Sequence, residues 1–385
     1  MTSVRVLLMR LFCVCAFPLL AGAQDAPRLK VDPFWPKPLP NNWMVGHVEG
    51  VVADKDDHIW MLHHVRTMDH PQDHSEMGRA QHPPVADCCV PAPELIEFDA
   101  QGNVMQAWGV RGTTPGWPEA ARGLAIDKQG NIWISGNHAP DRAVLKYSQD
   151  GKLLLKIGQT TNQAGLGLLA EPNNQDTTLL GGPTSLIVDD DASEIYIADG
   201  AINKRILVFD TNTGAFKRGW GAYGIPLSEI DNSKLAMYNK SNGPYDPMGT
   251  PPKQFRGLWA IRLSADGLVY VGDGKGNRIQ VFTKAGKFVK EIFVARGTLM
   301  LTGTVFDIAF SHDRGQKYLL VADPSNNVIR ILNRNDGTPV GKIGHMGHNA
   351  GQFDKPAALG FDSHGDLFVG EVHFNNRIQK FVPEK

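Results

Sequence analysis

Ile195-Tyr196-Ile197-Ala198-Asp199, followed by Asn203-Lys204-Arg205-Ile206, decides the fold, because the chain repeats it as Val269-Tyr270-Val271-Gly272-Asp273 followed by Asn277-Arg278-Ile279. Each copy is an apolar run of strand character ending in an acid, a short polar turn, and a second apolar run that opens near an arginine. Six segments share this pattern. Their first strands are expected over 50–54, 123–127, 185–189, 257–261, 307–310 and 358–362. Second strands follow over 58–63, 131–136, 194–199, 268–273, 318–323 and 366–371, and third strands are clearest over 205–209, 278–282, 328–332 and 377–381. Fourth strands are expected over 104–108, 153–157, 216–220, 288–293 and 340–343, so the sixth repeat has none. Residues 28–31 supply it, which closes a ring by pairing the two ends of the chain. An open solenoid has no use for that missing strand. The expected fold is therefore all-β, a six-bladed β-propeller with four-stranded antiparallel blades, closed by the N-terminal strand.

Residues 1–23 stand outside this arithmetic. Arg5 and Arg10 give a positive start, residues 11–20 are apolar but too short to span a bilayer, and Ala21-Gly22-Ala23 offers a signal-peptidase site. The expectation is a secreted, periplasmic chain whose residues 24–385 form a single propeller. No later stretch is long and apolar enough to cross a membrane as a helix. Loss of the two arginines takes the formal charge from −1 to −3, with no basic stripe to meet phosphates, so nucleic acid is excluded as a partner. A monomer is expected.

The repeated segments resemble NHL repeats, and the chain as a whole resembles the bacterial relatives of peptidyl-α-hydroxyglycine α-amidating lyase. The resemblance implies the same six-bladed propeller. It also implies a zinc ion held in the central channel by three histidines, each after a proline at the start of an innermost strand. The matching positions here are Arg122, Arg256 and Ala357, and the tyrosine the lyase carries after the Asp-Gly of its third repeat is Ala201. Neither arginine nor alanine substitutes for a neutral imidazole on zinc, so zinc-dependent amidating activity is not expected. Gluconolactonase-like propellers offer a second comparison: Glu49-Gly50 resembles their first motif, but Gly182-Pro183-Thr184-Ser185 stands where they have Pro-Asn-Gly.

Positions just before the innermost strands read as a ring of Glu49, Arg122, Thr184, Arg256, Phe306 and Ala357. Arg122 and Arg256 suit a carboxylate or phosphate; equally, Glu49 pairs with Arg122 and the pair plugs the channel. A second ring ends the second strands: His63, Gly136, Asp199, Asp273, Asp323 and Glu371. Its acids are expected to accept backbone N–H groups and pair with Arg205, Arg278, Arg330 and Arg377. A divalent-cation site would need several of them to converge.

An insert over about 64–93 carries His64, His70, His74 and His82 beside His63, then the adjacent Cys88 and Cys89. It is expected to cap one mouth of the channel. Histidine with cysteine suits zinc or copper, but neighbouring cysteines chelate one ion poorly, and a vicinal disulfide is the competing reading. A second insert, 222–253, brings Tyr223, Tyr238 and Tyr245, and His345 and His348 lie in a later link. Three function classes stay open: a binding propeller for a small anionic ligand or a partner protein; a lyase- or lactonase-like enzyme built on Glu49, Arg122 and Arg256; and a metal or redox role of the insert.

Overall fold

The structure is a computed structural model that describes residues 26–69, 88–138, 141–159, 171–233, 248–300 and 302–384. It contains six four-stranded antiparallel sheets and one two-stranded parallel sheet. Strands follow one another outward in each sheet, as alternating apolar segments joined by tight turns dictate. Expected and observed spans coincide at Glu194–Asp199, Leu268–Asp273, Asp307–Phe310 and Tyr318–Asp323. The third strands of blades one and two, which the repeat left unplaced, are Leu95–Phe98 and Val144–Tyr147.

Leu29–Asp32 pairs antiparallel with Ile378–Pro383, from Leu29 opposite Pro383 to Asp32 opposite Lys380. The ends of the chain thus share blade six, and the expected closure holds. Six apolar clusters fill the spaces between successive blades, including one that joins Val48 and Phe98 of blade one to Phe368 and Ile378 of blade six. A single sheet would leave one apolar face wet. Packed radially, each face covers its neighbour, and every buried Val-to-Phe-sized side chain adds about 1.5–3 kcal/mol.

The small parallel sheet pairs Trp43–Met44 with Val90–Pro91. It lays the returning end of the insert against the chain as it enters blade one. Among the described residues no helix is long and apolar enough to cross a membrane. The expected leader and His70, His74, His82, Tyr238 and Tyr245 lie outside the described residues.

Candidate functional site

Five of the six innermost strands carry an irregularity near their start. The ladder skips Glu49 in blade one, Thr184 in blade three, Trp259 in blade four and Ala357 in blade six. In blade two it skips Arg122 together with Gly123. Blade five begins its ladder one residue later, and Phe306 takes the same place, its N–H donating to the Ala322 carbonyl. A bulge takes one residue out of the in-and-out alternation of a strand. Here it delivers one side chain per blade to a narrow axial cavity lined by Glu49, Arg122, Thr184, Trp259, Phe306 and Ala357, with Arg262 and Asp307 deeper in.

Arg256 does not line this cavity, which corrects the sequence expectation. That expectation aligned Gly257-Leu258 with Gly123-Leu124. In the sheet, however, Leu258 faces Asp273, whereas in blade two the residue facing Gly136 is Ala121 and Leu124 faces Ile134. The register slides by three, and Trp259 takes the axial place. A repeated dipeptide cannot reveal such a slide, because the size of a bulge is set by hydrogen bonding and not by composition. The zinc comparison changes accordingly: the three positions are Arg122, Trp259 and Ala357, and none offers an imidazole. The residues present do not fit zinc.

Arg122 bridges the bore. Its guanidinium lies 3.3 Å from Glu49 on the neighbouring blade. The same group stands 4.8 Å from the Trp259 ring and 5.5 Å from Phe306, and these two rings stack with centroids 5.1 Å apart. Such cation–π contacts hold an arginine flat without neutralising it. The Thr184 hydroxyl sits 2.7 Å from the Leu258 carbonyl and 3.1 Å from that of Ala198, so it is committed to backbone. Deeper, Arg262 meets Asp307 at 2.6 Å, and Asp307 also accepts the Leu359 N–H at 2.9 Å, which ties three blades together. The remaining space is about 20 Å³, room for one water.

The second ring is structural, as expected. Asp199 meets Arg205 at 2.8 Å, Asp273 meets Arg278 at 2.9 Å, Asp323 meets Arg330 at 2.6 Å and Glu371 meets Arg377 at 2.7 Å. Three of the acids also reach back to the backbone two residues before the ladder begins: Asp199 accepts Gly181 N–H, Asp273 accepts Arg256 N–H and Glu371 accepts Asp354 N–H. Blade one does the same job with His63, whose Nδ1 accepts Gly46 N–H at 3.2 Å. Its Nε2 then donates to the Pro93 carbonyl at 3.0 Å. Burial holds this imidazole neutral, with its pKa pushed down to about 3. Both ring nitrogens are engaged, so His63 has none to offer a metal.

Beside it, Glu94 accepts Trp117 Nε1–H at 2.5 Å and Val65 N–H at 2.9 Å. Burial outweighs both bonds and pushes its carboxyl up to about 7. Cys88 and Cys89 are joined as a vicinal disulfide at the exposed end of the insert. The second insert's Tyr223 packs onto blade four, where its hydroxyl lies 2.8 Å from Arg278 and 3.0 Å from Glu291. His345 and His348 sit in an exposed turn, bonded to the Met346 carbonyl and to Asn375.

Asp54, His58 and Glu97 form a compact acid–imidazole group at the opposite end of blade one from the insert. Its atoms are used locally. Asp54 accepts His58 N–H and Trp60 Nε1–H, while Glu97 holds His58 Nδ1 at 2.6 Å and Gln106 at 2.6 Å.

Sequence reasoning missed Lys275. It sits in the turn Gly274–Gly276 between the second and third strands of blade four, with its Nζ 5.9 Å from the Trp259 ring. Its ammonium makes no hydrogen bond or ion pair among the described residues. Burial lowers its pKa, the nearby Arg256 lowers it further, and Asp273 opposes both. The available signal was a lysine where blades three and five carry Ala201 and Ser325.

No family model matches the chain. Peptidyl-glycine alpha-amidating monooxygenase B of Xenopus laevis is 26% identical over 268 residues, which cover 68% of this chain and 26% of that protein. The chain thus spans about a quarter of the length of the amidating monooxygenases it matches. NHL repeat-containing protein 3 of Homo sapiens is 27% identical over 305 residues, 76% of this chain and 73% of that protein. Among solved structures, streptogramin B lyase superposes with a TM-score of 0.52 at 14% identity, covering 92% of this chain and 98% of that one; this is a likeness of fold. Its homologues thus include peptidyl-glycine alpha-amidating monooxygenase and NHL repeat-containing protein 3, and its six blades are consistent with an NHL-repeat propeller.

Proposed function

We propose that this chain is an exported propeller that binds a small anion, a carboxylate or a phosphate, at the cationic mouth of its channel. The observation that carries the reading is the state of Arg122. Its only ion-pair partner among the described residues is Glu49, at 3.3 Å, while the repeat arginines sit 2.6–2.9 Å from theirs. Trp259 and Phe306 lie against the guanidinium without quenching its charge. Lys275 adds a second cation near Trp259, with its Nζ 5.9 Å from the ring that Arg122 faces at 4.8 Å. A bore of about 20 Å³ is too small for a metabolite, so the ligand rests at the mouth and presents its anionic group downward.

Calorimetric titration with inorganic phosphate and with succinate tests this. Saturable binding that is lost in Arg122→Met and unaffected by a chelator is expected. No heat, or equal affinity in the variant, would overturn it. Export is supported by Arg5 and Arg10, by the apolar run ending in Ala21-Gly22-Ala23, and by the Cys88–Cys89 disulfide, which suits an oxidising compartment. Amino-terminal sequencing of the protein from its producing cell should begin at Gln24; an intact Met1 would refute export by this route.

The homology to amidating monooxygenases favours a second reading, a lyase acting on a peptidyl-α-hydroxyglycine. The channel chemistry weighs against it, because Arg122, Trp259 and Ala357 stand at the histidine positions. Zinc-supplemented turnover of such a peptide would reverse that judgement.

A further inference from the structure

The amine of Lys275, unpaired among the described residues, serves no repeat function. The equivalent positions of blades three, five and six are Ala201, Ser325 and His373; Ser325 donates to the Gly303 carbonyl and His373 bonds Asp354, whereas the Lys275 amine makes no such bond among the described residues. Nor does the lysine reach an acid among the described residues: Asp273, two residues before it, is held by Arg278 at 2.9 Å and by the N–H groups of Arg256 and Gly257. The turn itself is fixed. A Cβ on Gly274 would overlap Trp259 Cδ1, and one on Gly276 would overlap the Asp273 carboxylate. Lys275 is therefore a half-buried amine on a rigid turn, placed over an aromatic ring and close to a second cation. Desolvation and a neighbouring positive charge are what convert a lysine from a solvated ammonium into a nucleophile.

We propose that Lys275 is a nucleophilic amine at the channel mouth, which condenses reversibly with the carbonyl of a small anionic aldehyde or ketone. The step balances without a co-reactant. The neutral Nζ lone pair forms a C–N bond as the carbonyl π bond opens to a hydroxyl, giving a carbinolamine. Loss of that hydroxyl with the nitrogen proton releases one water and leaves the imine. The ligand's anionic group rests against the cationic mouth, so the inference builds on the anion reading and adds the carbonyl as the ligand's second feature.

Pyridoxal 5′-phosphate is the probe, because it joins an aldehyde to a phosphate. The full chain is incubated with it at mildly alkaline pH, reduced with borodeuteride to fix the imine as a secondary amine, and mapped by peptide mass spectrometry. Lys275 should carry about tenfold more label than any other lysine, because a larger share of its amine is neutral and the phosphate is held beside it. Inorganic phosphate should compete, and Lys275→Arg should abolish only that labelled peptide. Label spread over exposed lysines such as Lys55 and Lys128, with Lys275 no higher, overturns the proposal. Pyridoxal without the phosphate separates the two readings. If it labels Lys275 as selectively, the amine stands and the anion reading falls. If phosphate binds by calorimetry but neither aldehyde labels Lys275, the anion reading stands and the amine falls.

Discussion

Two rings of charge surround the same axis, and they are built differently. In the outer ring, Asp199–Arg205 and Asp273–Arg278 are wholly buried, and their carboxylates are also bonded to backbone. In the inner ring, Glu49 and Arg122 meet once, at 3.3 Å, and Arg122 spends the rest of its surface on two aromatic rings. The outer pairs recur from blade to blade because each blade faces the same problem, orphaned N–H groups where an innermost strand begins. The inner pair occurs once. A charge arrangement that repeats with the fold is explained by the fold; one that breaks the repeat needs another explanation.

That contrast can be broken experimentally, and the largest effect should come from the outer ring. Asp273→Ala leaves Arg278 buried without its main partner and should cost about 3–5 kcal/mol, read as a shift in the urea midpoint. Glu94→Gln should act in the opposite direction. The carboxyl titrates near 4.5 when unfolded and at about 7 when folded, so the native protein loses stability as pH rises from 4.5 to about 7. A neutral amide has no charge to bury, and the variant should gain about 2 kcal/mol above pH 7 and nothing below about pH 4.

His63 supplies the mirror image. Its folded pKa of about 3 lies below the ordinary 6.5, so stability falls as pH drops from 6.5 toward 3. His63→Gln should flatten that acid limb in thermal melts, while lowering stability at neutral pH by about 1 kcal/mol through a poorer fit to Gly46 and Pro93. The smallest stability change belongs to the inner ring. Glu49→Gln keeps an acceptor oxygen of the same reach and leaves Trp259 and Phe306 over the guanidinium, so it should move the urea midpoint by no more than about 1 kcal/mol. It should nevertheless tighten phosphate binding several-fold, because Arg122 loses its one carboxylate. A loss of binding in this variant would make Glu49 part of the recognition rather than a competitor.

Much of the molecule was legible in one dimension. The count of strands, the missing fourth strand of the last repeat and its replacement by Leu29–Asp32 all follow from hydrophobic alternation and turn residues. The acid–arginine pairs were legible for the same reason, since each acid and its arginine lie five to seven residues apart across one hairpin. His63 was visible as a member of that ring, but its substitution for a carboxylate was not. That depends on which ring nitrogen faces Gly46.

The sequence alone therefore determined the architecture, because alternation, turns and repeat spacing are local properties that each blade states again. Which side chains reach the axis was decided only in three dimensions. Bulges set that choice, and a slide of three residues exchanged Arg256 for Trp259 while leaving the apolar pattern undisturbed. The isolation of Lys275 among the described residues is likewise a tertiary fact: Asp273, the acid that acts on it, is already held by Arg278 and by the Arg256 N–H.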